Sequence, residues 1–349
     1  MSYEVILLPI ILSLFFCWFF SLFASKFKLI DQPNERKIHP KPTPLVGGLS
    51  IFLTIYVFSI FYPPEIYIVK VILYVSFFVL IVGLIDDALQ LGIRIRLILQ
   101  IFSSLLVMGA GLVIVDLGNY SLFDGVVRKV IFFDLQVFSL VLTLFAIVGL
   151  TNATNFIDGI DGLSSLLTTL AFVFIFLFSY FDTGKTDTIL LSIIIFSNVG
   201  FVILNMGFVK NKKIFLGDAG SMTLGFLLAC LLIYYAQYQY MHPVLTLWCV
   251  PIVIFDLLGV IIRRVLKKEN PFVADRRHIH HLLLDIGYSQ KLVLFWILFF
   301  SILISISGYL VYFYISSDIS LVLFGLYFIL YVFVSQKINL LNKNRDIKK

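Results

Sequence analysis

Two adjacent carboxylates, Asp86 and Asp87, close an apolar run that ends Gly83-Leu-Ile-Asp86-Asp87. Carboxylates placed side by side repel, and relief usually comes from a cation or a shared proton. Further along, Asn152-Ala-Thr-Asn155-Phe-Ile-Asp158-Gly-Ile-Asp161-Gly162 places an amide or an acid at every third position. On a continuous helix that spacing sets all four side chains along one face, and no Lys or Arg is interleaved to neutralise them. Gly159 and Gly162 let the backbone bend and approach a ligand closely. Phe215-Leu-Gly-Asp218-Ala-Gly-Ser221 opens another apolar run. Free first-turn N–H groups and one carboxylate at such a helix start suit a phosphate together with its metal. Finally, Asp275-Arg276-Arg277-His278-Ile-His280-His281 mixes guanidinium and imidazole groups. With no Cys present and arginines that would repel a cation, this loop suits an anionic nucleotide sugar better than a transition metal.

Each segment also has a plain structural reading. Asn and Asp are favoured as helix caps at a membrane boundary. Arg94 and Arg96 could neutralise the Asp86–Asp87 pair, and the basic loop could rest on anionic lipid heads. Asp256 lies inside the apolar run Pro251-Ile-Val-Ile-Phe-Asp256-Leu-Leu-Gly259. Left unpaired there, a carboxylate costs about 3 kcal/mol, so Arg263 or Arg264, two turns on, is its expected partner.

The elements that must position these groups are set by composition. Of 349 residues, 60% are hydrophobic and only 13% charged, with a mean hydropathy of +1.04. A soluble domain carries roughly a quarter charged residues, so lipid must solvate the surplus apolar surface. The fold class expected is all-α, a polytopic bundle of about eleven transmembrane helices running from Val5–Ala24 to Ile319–Val334. The first run lacks a basic flank, since Glu4 is the sole charge before it, and reads as a retained helix. Residues 1–336 are expected to form one membrane domain, and 337–349 a basic cytoplasmic tail. Cys17, Cys230 and Cys249 fall in apolar runs without metal-ligand spacing.

Of the 26 Lys and Arg residues, all but Lys70, Arg128, Lys129 and Lys185 fall on alternate connections. The positive-inside rule then puts the amino terminus outside and the carboxyl terminus in the cytoplasm. The same rule accounts for the net charge of +6 without a nucleic-acid partner. The acidic and imidazole segments share the basic side, and that convergence reads as a site.

Taken together, these segments resemble the polyprenyl-phosphate N-acetylhexosamine-1-phosphate transferase family. The resemblance begins at Asp31-Gln-Pro-Asn-Glu-Arg-Lys-Ile-His39 and Lys41-Pro-Thr-Pro-Leu-Val-Gly-Gly48 and runs to the histidines at 278–281. The His-Ile-His-His form of the last motif is similar to the WecA/TagO branch. The resemblance implies transfer of a sugar 1-phosphate from a UDP-N-acetylhexosamine to undecaprenyl phosphate, with release of UMP. N-acetylglucosamine is the expected sugar, and the step would initiate a cell-surface polysaccharide such as O-antigen. It implies a Mg²⁺ cofactor, with Mn²⁺ admissible, in a bacterial plasma-membrane enzyme whose site faces the cytoplasm; a homodimer is admissible.

By resemblance, Asp86 and Asp87 handle the acceptor phosphate and Asp218 binds magnesium. Asn155, Asp158, Asp161 and Phe215 form the nucleotide pocket, with Asn152 beside them. Lys41 lies near the diphosphate, and His278, His280 and His281, with Arg276 and Arg277, contact the sugar or diphosphate. Asp158 and Asp161 are counted with Asp86 and Asp87 as catalytic candidates. The rival reading is a lipid or solute transporter with an acidic coupling site. Transporters tend to place ionisable groups near the bilayer midplane, whereas here the candidate site acids crowd one surface and Asp256 is the exception that lies inside a run.

Overall fold

The computed structural model describes residues 3–32, 41–120, 136–210, 212–266, 268 and 278–346. Its helices are α1 (Glu4–Ser21), α2 (Gly47–Phe61), α3 (Tyr67–Leu89), α4 (Ile93–Gly109), α5 (Gln136–Ile157), α6 (Leu163–Thr183) and α7 (Thr188–Asn205). They continue as α8 (Gly217–Gln237), α9 (Pro243–Cys249), α10 (Pro251–Leu266), α11 (Ile279–Ile286), α12 (Gln290–Tyr314) and α13 (Ser317–Asp346). Two short strands, β1 (Ile30–Asp31) and β2 (Thr43–Pro44), pair antiparallel.

Among the described residues, 8 helices are long and apolar enough to cross a membrane, and the bent pair α9–α10 makes a ninth candidate. A helix satisfies its own backbone polar groups, which hydrocarbon cannot do. The expected number of spans, about eleven, exceeds this count, and the apolar run from Val244 to Ile262, expected as one span, is not straight. It breaks between Cys249 and Pro251 with a bend of 82°. Pro251 has no N–H to continue the ladder from α9, yet its fixed φ suits the first turn of α10. Serine and threonine inside the spans return their hydroxyls to the preceding turn, as Ser50 does to the Val46 carbonyl and Thr151 to that of Ile147.

Helix α8 is the hub, packed by α2, α3, α5 and α6 and buried along nearly its whole length. Small residues allow this. A Cβ on Gly48 would strike the backbone of Gly220, and one on Gly83 the backbone of Ala219. The start of α2 and the end of α3 therefore meet the start of α8 at backbone contact. β2 is tied to the same point: Phe215 N–H donates to the Pro44 carbonyl at 2.8 Å, and Gly47 N–H donates to the Phe215 carbonyl at 3.0 Å. Outward-facing Leu7, Ile11, Phe295 and Phe299 give α1 and α12 exposed apolar surface suited to lipid. Helix α13 runs on past residue 336, and Asn342 Nδ2 donates to the Leu282 carbonyl of α11 at 3.1 Å.

Candidate active site

The last turn of α3 carries Asp86 and Asp87 directly against the first turn of α8. Asp87 Oδ1 accepts the Asp218 N–H at 2.8 Å, and its Oδ2 accepts the Ala219 N–H at 3.1 Å. The residue preceding α8, Leu216, has no side chain to cap those groups, so a carboxylate from another helix does it. The expectation that these N–H groups are open to a phosphate is therefore corrected: Asp87 occupies two of them. Gly217, at φ +76°, makes the turn that brings this about.

Asp86 and Asp218 share one guanidinium. Arg96 Nη1, from the first turn of α4, lies 3.1 Å from Asp86 Oδ2 and 3.3 Å from Asp218 Oδ2. Asp218 Oδ1 also accepts from Asn155 Nδ2 at 2.8 Å, and that nitrogen lies 2.9 Å from Ser221 Oγ. The two acids differ in access: the Asp86 side chain is 3% exposed, that of Asp218 41%. Asp218 is thus the carboxylate a ligand reaches, while Asp86 backs it from inside.

Asn152 is turned aside. Its Nδ2 donates to Gln100 Oε1 at 2.6 Å and to the Val148 carbonyl at 2.8 Å, clasping α5 to α4. The four-in-register expectation is also corrected, because α5 ends at Ile157 and residues 158–162 form turns. Asp158 and Asp161 therefore hang from a loop. Burial first, then the charges of Asp218, Asp87 and Asp161, hold the Asp158 carboxyl well above the ordinary carboxylate range. Asp161 Oδ2 pairs with Lys213 Nζ at 2.6 Å, and that ammonium lies 5.2 Å from the centre of the Phe215 ring. Lys41 is exposed just before β2, on the strand segment that hydrogen-bonds to Phe215.

The histidine motif packs onto the same end of the bundle. His278 lies over Phe156, ring centres 5.6 Å apart, and donates or accepts at Nδ1 with Asp256 Oδ2 at 2.7 Å. This overturns the expected pairing of Asp256 with Arg263 or Arg264; Arg263 Nη1 instead donates to Ser335 Oγ at 2.6 Å. His280 is fully buried against Gly159, and His281 stands 4.1 Å from it, ring to ring. Burial first, then the neighbouring His281 and His278, pushes the His280 pKa down to about 3. Arg276 and Arg277 lie outside the described residues.

An exposed carboxylate fixed by a helix start, an amide and an arginine, with imidazoles and a lysine at the same end of the bundle, is suited to phosphoryl chemistry. Residues 69–236, which carry every acid of this cluster, match the family model described as Glycosyl transferase family 4. The undecaprenyl-phosphate alpha-N-acetylglucosaminyl 1-phosphate transferase of Escherichia coli O157:H7 is 32% identical over 325 residues, covering 90% of this chain and 86% of its own. The chain belongs to glycosyl transferase family 4. Like-named proteins of Haemophilus influenzae, 32% identical over 89% of this chain and 87% of theirs, and of Salmonella typhi, 31% over 77% and 72%, are similarly related. The transporter alternative is set aside accordingly.

Within this family 4 transferase the structure brings Asp86, Asp87, Asn155, Asp158, Asp161, Phe215 and Asp218 to one end of the bundle, with His278, His280 and His281. Arg96 and Lys213 join them. By sequence Arg96 is one of two arginines able to neutralise the Asp86–Asp87 pair, and Lys213 closes a basic run, Lys210-Asn-Lys-Lys213, with nothing local to mark it. Only the run of acids without interleaved cations hinted that remote ones were needed.

Proposed function

We propose that this transferase moves N-acetylglucosamine 1-phosphate from UDP-N-acetylglucosamine to undecaprenyl phosphate, releasing UMP, at the cytoplasmic face of the bacterial plasma membrane. The product would start assembly of a cell-surface polysaccharide. The names of the relatives support the acceptor and the sugar. The observation that carries the reading is the exposed Asp218 carboxylate, held by Asn155 and Arg96 at the end of the spans. There a lipid headgroup arrives sideways and a nucleotide from water.

In the reaction an oxygen of the acceptor phosphate bonds to the β-phosphorus of the UDP-sugar. The β-phosphorus–oxygen bond to the α-phosphate breaks, and UMP leaves with that oxygen. A phosphate monoester with a second pKa of about 6 is mostly dianionic at neutral pH, so no residue has to remove a proton first. The obstacle is repulsion between two anions. Arg96 supplies a fixed positive group against it, and His278 an imidazole. Asp161 and Phe215, gathered by Lys213, would hold the nucleotide together with Asp158, and Lys41 would meet the diphosphate.

Magnesium fits this donor set. Mg²⁺ is held by one or two carboxylates plus substrate phosphates and waters, and Asp86 and Asp218 already aim one oxygen each at a single cationic atom. Asp218, the exposed one, would hold it with Asp86 behind, and when bound it would supply charge neutralisation between the meeting phosphates. The test is incubation of membranes containing the protein with undecaprenyl phosphate, Mg²⁺ and a panel of labelled UDP-sugars. Lipid-linked label and UMP are expected with the N-acetylglucosamine donor; no product with any sugar would sink the proposal.

A further inference from the structure

Asp256 is the most deeply buried acid with a direct line to the site, and the transfer chemistry above gives it no role. It lies mid-helix in α10 at 1% exposure, where an unsatisfied carboxylate would be costly. Its partners are three donors from two other elements. Oδ2 meets His278 Nδ1 at 2.7 Å; Oδ1 accepts the Ile279 N–H at 2.9 Å and the Tyr331 hydroxyl at 2.7 Å. The Ile279 N–H is the first of α11, whose N-cap residue His278 makes no side-chain cap. One carboxylate thus anchors the start of α11 and grips the imidazole that precedes it. Tyr331, on α13, fixes the carboxylate from behind.

We infer that Asp256, backed by Tyr331, is a positioning residue that sets the ring orientation and the tautomer of His278. An ionised carboxylate at Nδ1 accepts a hydrogen bond and offers none, so the Nδ1 proton is retained there. Nε2 is then the nitrogen left for the ligand, on a ring packed against Phe156, the residue that follows Asn155. The inference rests on the reading that His278 serves the sugar-nucleotide site. It explains why a charge is kept in an apolar helix at all: neither a hydrocarbon side chain nor an amide imposes that tautomer.

Asp256→Asn tests this with little change of shape. The amide nitrogen facing Nδ1 would donate, forcing Nδ1 to accept and moving the ring proton to Nε2. By analogy with outer-sphere partners of functional histidines, kcat should fall about 10–100-fold, with KM for the UDP-sugar changing far less. The decisive measurement is a cycle with His278→Asn. If Asp256 acts through His278, Asp256→Asn adds almost nothing in the His278→Asn background. Additive losses, or an Asp256→Asn enzyme with wild-type kcat, would overturn the inference. Tyr331→Phe removes one bond from the same carboxylate and is read in the same cycle, so it decides the matter if Asp256→Asn fails to fold. A smaller kcat loss that vanishes beside His278→Asn is expected, and a loss that persists there overturns the assignment. Wild-type protein inactive on every UDP-sugar would instead bring down the functional reading itself, and this inference with it.

Discussion

Asp87, at the end of α3, accepts the backbone N–H of Asp218, at the start of α8, at 2.8 Å. The carboxylate that looks like half of an acidic pair is the cap that fixes where Asp218 stands. Asp87→Asn keeps one acceptor oxygen but turns an NH₂ toward the second N–H and removes the charge from the helix start. Loss of such a cap costs about 1–2 kcal/mol. We expect a lowered thermal midpoint in detergent and a fall in transfer rate on the order of a hundredfold. A variant with wild-type rate and melting would show that the cap does not set the site.

Arg96 compensates Asp86 and Asp218 together, at 3.1 and 3.3 Å. Removing it should separate two effects. Arg96→Ala is predicted to lower kcat at least about tenfold, because a fixed cation is lost near the developing charge. The same change leaves two carboxylates uncompensated, so the Mg²⁺ concentration for half-maximal activity should fall. Titrating Mg²⁺ for both enzymes checks this, and an unchanged or higher requirement contradicts it. Asp218→Asn, by contrast, should abolish turnover while the protein still purifies folded; an unimpaired variant would remove Asp218 from the metal-binding role.

Gly159 is where the loop after α5 meets the histidine motif. A Cβ there would run into the His280 ring, which is buried and has no room to swing away. Gly159→Ala should therefore displace α11 and raise KM for the UDP-sugar about tenfold or more while leaving the membrane bundle assembled. Kinetics alongside size-exclusion chromatography in detergent would reveal it. Unaltered KM would mean that the His280 contact is not maintained in the working enzyme.

His280 gives a pH dependence of stability. In the fold its pKa is pushed down to about 3 by burial, from an ordinary value near 6.5. The unfolded chain therefore binds a proton that the folded one refuses as pH falls from 6.5 toward 3. Stability is full above 6.5 and declines below it, by about 1.4 kcal/mol per pH unit from this group alone. Melting temperatures between pH 7 and 5 should drop for the wild type and drop less for His280→Phe. Parallel curves would locate the acid sensitivity elsewhere.

Much of the site was legible because the chemistry needs particular residue types clustered on the basic side of the spans. Asp86, Asp218 and Asn155 could be picked out for that reason, and Asn155 and Arg96 join the two acids, while His278 packs on Phe156 beside Asn155. What failed was anything that depended on where a helix stops. Asn152 to Asp161 has helical spacing throughout, but α5 ends at Ile157, so Asp158 and Asp161 leave the face that holds Asn155. Asp256 found His278 rather than an arginine two turns away, because the start of α11 packs beside α10, a contact that local spacing does not show.

The apolar runs by themselves determined a helical membrane bundle with its acids at the ends of spans, since hydrocarbon excludes unpaired backbone and charge along any stretch of chain. Only the tertiary structure decided which acid faces solvent, which caps a helix and which meets a histidine. Asp86, Asp87, Asp218 and Asp256 carry the same group. Their differences come from one guanidinium, two backbone N–H groups, a solvent-facing edge and a histidine, and close glycine contacts between distant helices bring most of these into reach. Local sequence sets the type of each group, and long-range packing sets its neighbours and hence its electrostatics.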